Sequence, residues 1–235
     1  MKKPTKIIGI LGGMGPLATA SFFADVISVC QTKYGAEQDT DYPKIFLYNT
    51  ALYGFNETGF SKPDLVREQL ISDTKKLENW GADFIVIPCN TVHFFIGDMR
   101  SELKIPIISI VDSTIDKIKK TNFKKIGILS SLSSRELGLY EKKLVNNGFE
   151  IIITTKEEQR LLDSVVLAVM SGNHGKMEKE ILVDVINRMK KNGAEAIILG
   201  CTELPLVIHK EDSPLFLFNT IHILAEYAVD FSYQN

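Results

Sequence analysis

Cysteine is scarce. Three residues of this type stand in a chain of 235, and no two form a Cys-x-x-Cys pair. An odd, sparse set of thiols excludes a disulfide framework and reads as a reduced, cytoplasmic chain. Charge of one sign is missing too, since 27 Lys and Arg face 29 Asp and Glu for a net −2. That balance gives no electrostatic case for nucleic acid or for an anionic membrane surface as partner. Long apolar runs are also absent. The run from Ile7 to Leu11 is cut at once by Gly12 and Gly13, shorter than the roughly 7–15 residues of a secretory leader's core. Nothing approaches the ~20 apolar residues of a membrane span. The glycines of Gly12-Gly13-Met14-Gly15-Pro16 lack the G-x-G-x-x-G spacing, and no acidic ribose-binding residue is evident. A dinucleotide site is therefore rejected. With 45% hydrophobic and 24% charged residues, the chain can bury a full core as one large domain or two small ones.

What the chain does contain is one statement made twice. Gly81-Ala82-Asp83-Phe84-Ile85-Val86-Ile87-Pro88-Cys89-Asn90-Thr91 is restated by Gly193-Ala194-Glu195-Ala196-Ile197-Ile198-Leu199-Gly200-Cys201-Thr202 at an offset of 112. Each copy reads as a turn glycine, a short apolar run, then a cysteine and a small polar residue where the strand ends. A second echo pairs Ile8-Gly9-Ile10-Leu11 with Ile126-Gly127-Ile128-Leu129 at an offset of 118.

Around these motifs, strands and helices alternate without hairpin signals, which predicts parallel α/β architecture. Strands are expected over 6–11, 44–50, 84–89, 105–111, 126–129, 150–154, 196–199 and 214–218. Helices are expected over 17–34, 61–80, 93–103, 134–147, up to 170, 176–191 and 220–231. Ser61, Pro63 and Asp64 read as a helix start much like a capping box. Cys30 shares an apolar helix face with Phe22, Val26 and Val29 and reads as an inert core thiol. The duplication predicts two pseudo-symmetric open parallel-sheet domains facing each other across an active-site cleft. Residues 1–115 would carry Cys89 and residues 116–215 would carry Cys201. A C-terminal helix of about 216–235 would return to the first domain.

Ligands of open α/β sheets bind beyond the carboxyl ends of the strands, where both cysteines are expected. Asn90, Thr91 and Thr202 are cap-type residues, and free N–H groups at a helix start stabilise a thiolate. A thiolate facing a thiol suits racemisation at a Cα–H carbon, because one sulfur takes the proton and the other returns one to the opposite face. Four readings compete: two buried core thiols, a metal site of Cys89, Cys201 and His93, a Cys–His hydrolase, and a non-catalytic binding protein. Closely spaced ligand pairs are missing for the metal, and a hydrolase leaves Cys201 without a role.

The motifs Gly12-Gly13-Met14-Gly15-Pro16 with Thr19, Pro88-Cys89-Asn90-Thr91-Val92-His93 and Gly200-Cys201-Thr202-Glu203-Leu204-Pro205 resemble those of the aspartate/glutamate racemase family. Their order and spacing match over nearly the whole chain. The resemblance implies a cofactor-independent, metal-free racemase, usually a homodimer, acting on a small-molecule amino acid. Cys89 and Cys201 would be its proton donor and acceptor. Gly13, Met14, Thr50, Asn56, Asn90, Thr91 and Thr202 would line the substrate, and Glu203 would receive its ammonium or cap a helix. A maleate isomerase or decarboxylase on the same scaffold, using one cysteine, is the alternative within the fold.

The departures from the family pattern fall on side-chain specificity. Asn56 stands where aspartate racemases of the family typically carry an Arg, and Met170 where they carry a Lys. Ser130-Ser131-Leu132-Ser133-Ser134 replaces an A-T-x-G-T segment. Removing two cations from a desolvated carboxylate site disfavours aspartate, at roughly 1.5–3 kcal/mol per charged hydrogen bond. Arg135 and Lys176 are the candidate substitutes. Glutamate, or a broader set of amino acids, competes with aspartate as substrate.

Overall fold

A computed structural model describes residues 3–56 and 59–234. The first strand, β1 (Ile8–Gly12), is wholly buried and runs into the glycine turn. Helix α1 (Pro16–Tyr34) starts with Pro at its first turn and ends at Gly35 in the left-handed region, φ 68°. It buries Ala18, Phe22, Val26, Val29 and Cys30, the spacing of one helix face. Burying a side chain the size of Phe22 is worth about 1.5–3 kcal/mol.

Strand β2 (Ile45–Asn49) follows, then two-residue strands β3 (Phe55–Asn56) and β4 (Gly59–Phe60), which pair with each other. A small hairpin thus occupies the loop where none was expected. Helix α2 (Pro63–Asn79) is capped at Lys62 without a side-chain bond. Ser61 donates instead to the Gly54 carbonyl at 3.2 Å, so the expected capping box does not form. Val66, Leu70 and Leu77 are buried, whereas Leu65 and Trp80, two more of its apolar residues, lie exposed.

Next come β5 (Phe84–Val86), a 3-10 turn at Thr91–Phe95, α3 (Ile96–Glu102), β6 (Ile107–Ile108) and α4 (Ile110–Lys119). Strand β6 is shorter than its apolar run because Ile110 already opens a helix. The second half runs β7 (Lys125–Leu129), α5 (Leu132–Leu137), α6 (Glu141–Asn146), β8 (Glu150–Ile152), α7 (Lys156–Met170), α8 (Lys176–Lys191), β9 (Ala196–Leu199), β10 (Phe216–Asn219) and α9 (Thr220–Ser232). The single helix expected over 134–147 is two, broken where Gly138 adopts φ 66°.

The chain divides into two units. One holds the described residues of Met1–Phe55, Phe60–Ser113 and Ile221–Asn235, the other those of Asn56–Gly59 and Thr114–Thr220. The division falls inside α4. Strand β10 pairs with β9, so the sheet of the second unit keeps residues 216–219, and the return is made by α9.

Each unit has its own parallel sheet, ordered β2-β1-β5-β6 in one and β10-β9-β7-β8 in the other. Taken from the opposite edge, the second order is the first one repeated. The repeat extends to register: Ile8 pairs with Phe84 and Gly9 with Ile85, as Ile126 pairs with Ala196 and Gly127 with Ile197. The repeated acid has a structural task. Asp83 accepts the Ile7 N–H at 2.6 Å, and Glu195 accepts the N–H groups of Lys124 and of Lys125, the latter at 3.1 Å. Each carboxylate therefore satisfies backbone donors where the neighbouring strand begins.

Candidate active site

In the first unit the site is built at the carboxyl ends of β1 and β5. The Thr50 N–H donates to the Gly12 carbonyl at 3.0 Å, and Gly13 donates its N–H to Thr19 Oγ1 at 3.0 Å. Gly13 has φ 101°, and a Cβ there would lie 2.1 Å from the Thr50 carbonyl oxygen. Only glycine fits this turn. Thr50 donates its hydroxyl to Asp73 at 2.6 Å, and Lys76 pairs with the same carboxylate at 2.8 Å. What lies beside Gly13 is thus the Thr50 backbone, while its side chain is committed to α2. Asp73 escaped the sequence reading, although an acid between Leu70 and Leu77 on an apolar face is a detectable anomaly.

Cys89 lies three residues past the end of β5 and is 5% exposed. It joins the apolar cluster that includes Leu11, Met14 and Ile87, which brings the glycine turn and the cysteine loop together. Asn90 and Thr91 are buried beside it, and Asn90 makes no side-chain cap bond. Buried His93 holds the loop by both ring nitrogens. Nδ1 lies 2.7 Å from the Cys89 carbonyl oxygen, and Nε2 accepts the Ile110 N–H at 3.2 Å. An acceptor at one nitrogen and a donor at the other select the neutral tautomer with hydrogen on Nδ1. His93 therefore orients the Cys89 backbone against α4, and backbone groups occupy the nitrogens that a metal would need.

The second unit repeats the plan at β7 and β9. Cys201 lies two residues past β9 and is likewise 5% exposed, in the cluster with Leu199, Leu204 and Leu129. Gly200 donates to the Leu129 carbonyl at 2.7 Å. A Cβ on Gly200 would approach that oxygen and buried Tyr140 to 3.2 Å each, which favours glycine before the cysteine. The Cys201 thiol donates to Glu203 Oε2 at 3.2 Å, and the Thr202 hydroxyl donates to the same oxygen at 3.0 Å. Glu203 precedes a 3-10 turn at Leu204–Leu206 without a side-chain cap bond. Its carboxylate serves Cys201 and Thr202 rather than the helix end.

The residues expected to set side-chain specificity are more dispersed. Asn56, on β3, is exposed and groups with the second unit. Met170 ends α7 and is 49% exposed. Lys176 opens α8, is almost fully exposed and pairs with Glu180 at 3.3 Å, so it sits in solvent rather than in a desolvated site. Arg135, on α5, is half-buried and donates Nη1 to Thr154 at 2.9 Å and to Gln159 at 3.3 Å. Cys30 is fully buried, and burial pushes its thiol pKa up, as an unreactive core thiol requires.

Taken together, the fold and site define a duplicated parallel α/β protein with one loop-borne thiol past the central strands of each sheet. Residues 11–228 match the Asp/Glu/Hydantoin racemase family. The chain is 30% identical over 223 residues to the broad specificity amino-acid racemase RacX of Bacillus subtilis, covering 95% of this chain and 96% of that one. Among solved structures, the Picrophilus torridus aspartate racemase superposes with a TM-score of 0.81 at 28% identity, over 97% of this chain and 94% of its own. An aspartate racemase homologue from Pyrococcus horikoshii gives 0.82 at 27% identity over the whole of both chains. The chain belongs to the Asp/Glu/hydantoin racemase family and is an isomerase of the amino-acid racemase class, acting on a small molecule. Among the described residues, no helix is long and apolar enough to cross a membrane.

Proposed function

We propose that the protein interconverts L- and D-amino acids without a cofactor, by two-base proton transfer between Cys89 and Cys201. The observation that carries this reading is their equivalence. Each thiol follows the same strand of a repeated sheet, in a loop with buried polar neighbours. One sulfur, as thiolate, takes the Cα proton and becomes a thiol. The other, as thiol, protonates the opposite face of the carbanion and becomes a thiolate. The proton count is unchanged, and the next turnover runs in the reverse sense. Glu203, held by the Cys201 S–H, is placed to accept that proton when Cys201 must act as base. Donors of the Gly13–Met14 turn, with Asn90, Thr91 and Thr202, would bind the substrate's α-carboxylate and ammonium, and Thr50, whose N–H and hydroxyl are both engaged, would only shape the turn.

Aspartate and glutamate are the first substrates in this reading, and the set extends beyond them. Asn56 and Met170 are neutral where the resemblance expects cations, and a relative sharing 30% identity is named for broad specificity. The protein would work in the cytoplasm as a homodimer. Strand β2 is the edge of its sheet with Leu47 exposed, an edge of the kind that invites a partner.

The test is Cα–H exchange in D2O with a panel of L- and D-amino acids, followed by NMR with chiral analysis. Deuterium entry with loss of optical purity is expected, and Cys89→Ala or Cys201→Ala abolishes racemisation in both directions. Full racemisation by either variant overturns the two-thiol mechanism.

A further inference from the structure

Beyond the thiol loops, the second unit holds a cavity of about 350 Å3 between α5 and the first half of α7. Three cations line it: Arg135, Lys156 and Arg160. Neither Lys156 nor Arg160 has an ion-pair partner among the described residues. Arg135 uses only Nη1 for hydrogen bonds, to Thr154 and Gln159, and the Glu141 carboxyl lies within electrostatic reach of its charge. Its Nε and Nη2 make no hydrogen bond among the described residues. Buried Gln159 fixes this arm. Its carbonyl accepts from both Arg135 and Thr154, and its amide donates to the Ser130 carbonyl at 2.9 Å and to Asp163 at 3.0 Å. Of the two acids in the lining, Asp163 is already engaged by Gln159 and by the Leu132 N–H at 3.2 Å. Glu136 is exposed.

A guanidinium anchored through one nitrogen, with its remaining donors open beside two further cations, fits a planar, bidentate anion. We propose that this cavity is a carboxylate-binding site centred on Arg135. It lies at the carboxyl end of β7, the strand beside β9, one strand spacing of roughly 5 Å from the strand that leads to Cys201. The carboxylate has two possible sources, the side chain of the bound amino acid or a separate free dicarboxylate. The first source rests on the racemase reading, and the second does not.

The experiment follows the Arg135 Nε–H signal by 15N NMR, assigned by its loss in Arg135→Gln, during titration with glutarate and, separately, with acetate. A saturable shift with glutarate is expected, weakened in Lys156→Gln/Arg160→Gln. Circular dichroism checks that the variants fold, and Arg135→Lys provides a charged control. Racemisation kinetics then separate the sources. If the substrate's own side chain is bound, Arg135→Gln raises KM for aspartate and glutamate roughly tenfold or more and leaves alanine unchanged. If a free dicarboxylate is bound, glutarate still shifts the signal with amino acid saturating, and KM is unchanged for every substrate. A wild-type signal unmoved by glutarate and by the acidic amino acids at tens of millimolar, with kinetics unaltered in Arg135→Gln, overturns the proposal. Because the NMR arm needs no turnover, a protein without racemase activity would refute the proposed function while still reading this site.

Discussion

Glu203 accepts the Cys201 thiol proton at 3.2 Å through the same oxygen that takes the Thr202 hydroxyl. In the proposed two-thiol mechanism, a carboxylate so placed would hold the proton that Cys201 gives up before acting as base. Glu203→Gln is expected to lower kcat about 10²–10⁴-fold with little change in KM, and to displace the acidic limb of the pH–rate profile. Glu203→Asp should restore part of the rate. A profile identical to wild type in Glu203→Gln would remove Glu203 from proton handling.

His93 ties the Cys89 loop to α4 through two backbone bonds. Replacing it with Ala removes both, at about 0.5–1.5 kcal/mol each, and leaves a cavity in a buried position. Thermal unfolding should register a lower Tm. The Cys89 thiol should also react faster with a disulfide reagent, whereas Cys201 should react at its former rate. Equal changes at both thiols would mean that His93 supports the fold at large.

Glu141 opens α6 with Oε1 buried and unpartnered among the described residues. Burial raises its pKa, only partly countered by backbone N–H groups and Arg135. A carboxyl whose folded pKa exceeds its unfolded one contributes most below the unfolded value, near 4.5. That contribution is lost as pH rises through the folded pKa. Glu141→Gln should therefore gain stability at neutral pH and flatten the decline that sets in above about pH 4.5. Chemical denaturation across that range measures it, and a destabilised variant at pH 7 would contradict it.

Asp41 behaves in the opposite sense. The Lys3 ammonium at 2.7 Å and the N–H groups of Gln38 and Glu37 hold its pKa down to about 2. Its contribution is present above the unfolded value of 3.8 and disappears as pH falls towards 2. Asp41→Asn should lose that part of the acid transition while remaining folded at pH 7. Acid titration followed by circular dichroism decides, and unaltered acid sensitivity would place the effect elsewhere.

The repeat was legible because a strand-end cysteine and a turn glycine recur at one offset, and paired strands keep that offset in register. Burial of Cys30 and Phe22 followed from helical spacing alone. The break at Gly138 was harder to foresee, since a glycine within a polar helix differs little from a tolerated one. Ser61 misled because its hydroxyl finds a tertiary partner in Gly54, and local capping patterns carry no tertiary information. The Glu203–Cys201 bond and the Thr154–Gln159 grip on Arg135 depend on loop conformations that no periodicity encodes.

Helix α9 follows the whole second unit along the chain but belongs to the first unit. Tyr233 stacks on Tyr34 with ring centroids 3.8 Å apart and donates its hydroxyl to the Asp41 carbonyl, while Thr5 donates its N–H to the Ser232 carbonyl at 2.8 Å. The second unit needs only residues 56–59 and 114–220. On a translating ribosome, the usual N-to-C sequence of domain folding is therefore inverted. The face of the N-terminal sheet that Phe231 covers through Phe84 stays bare until residues 221–234 have emerged. The unit bearing Cys201 can already be complete by then.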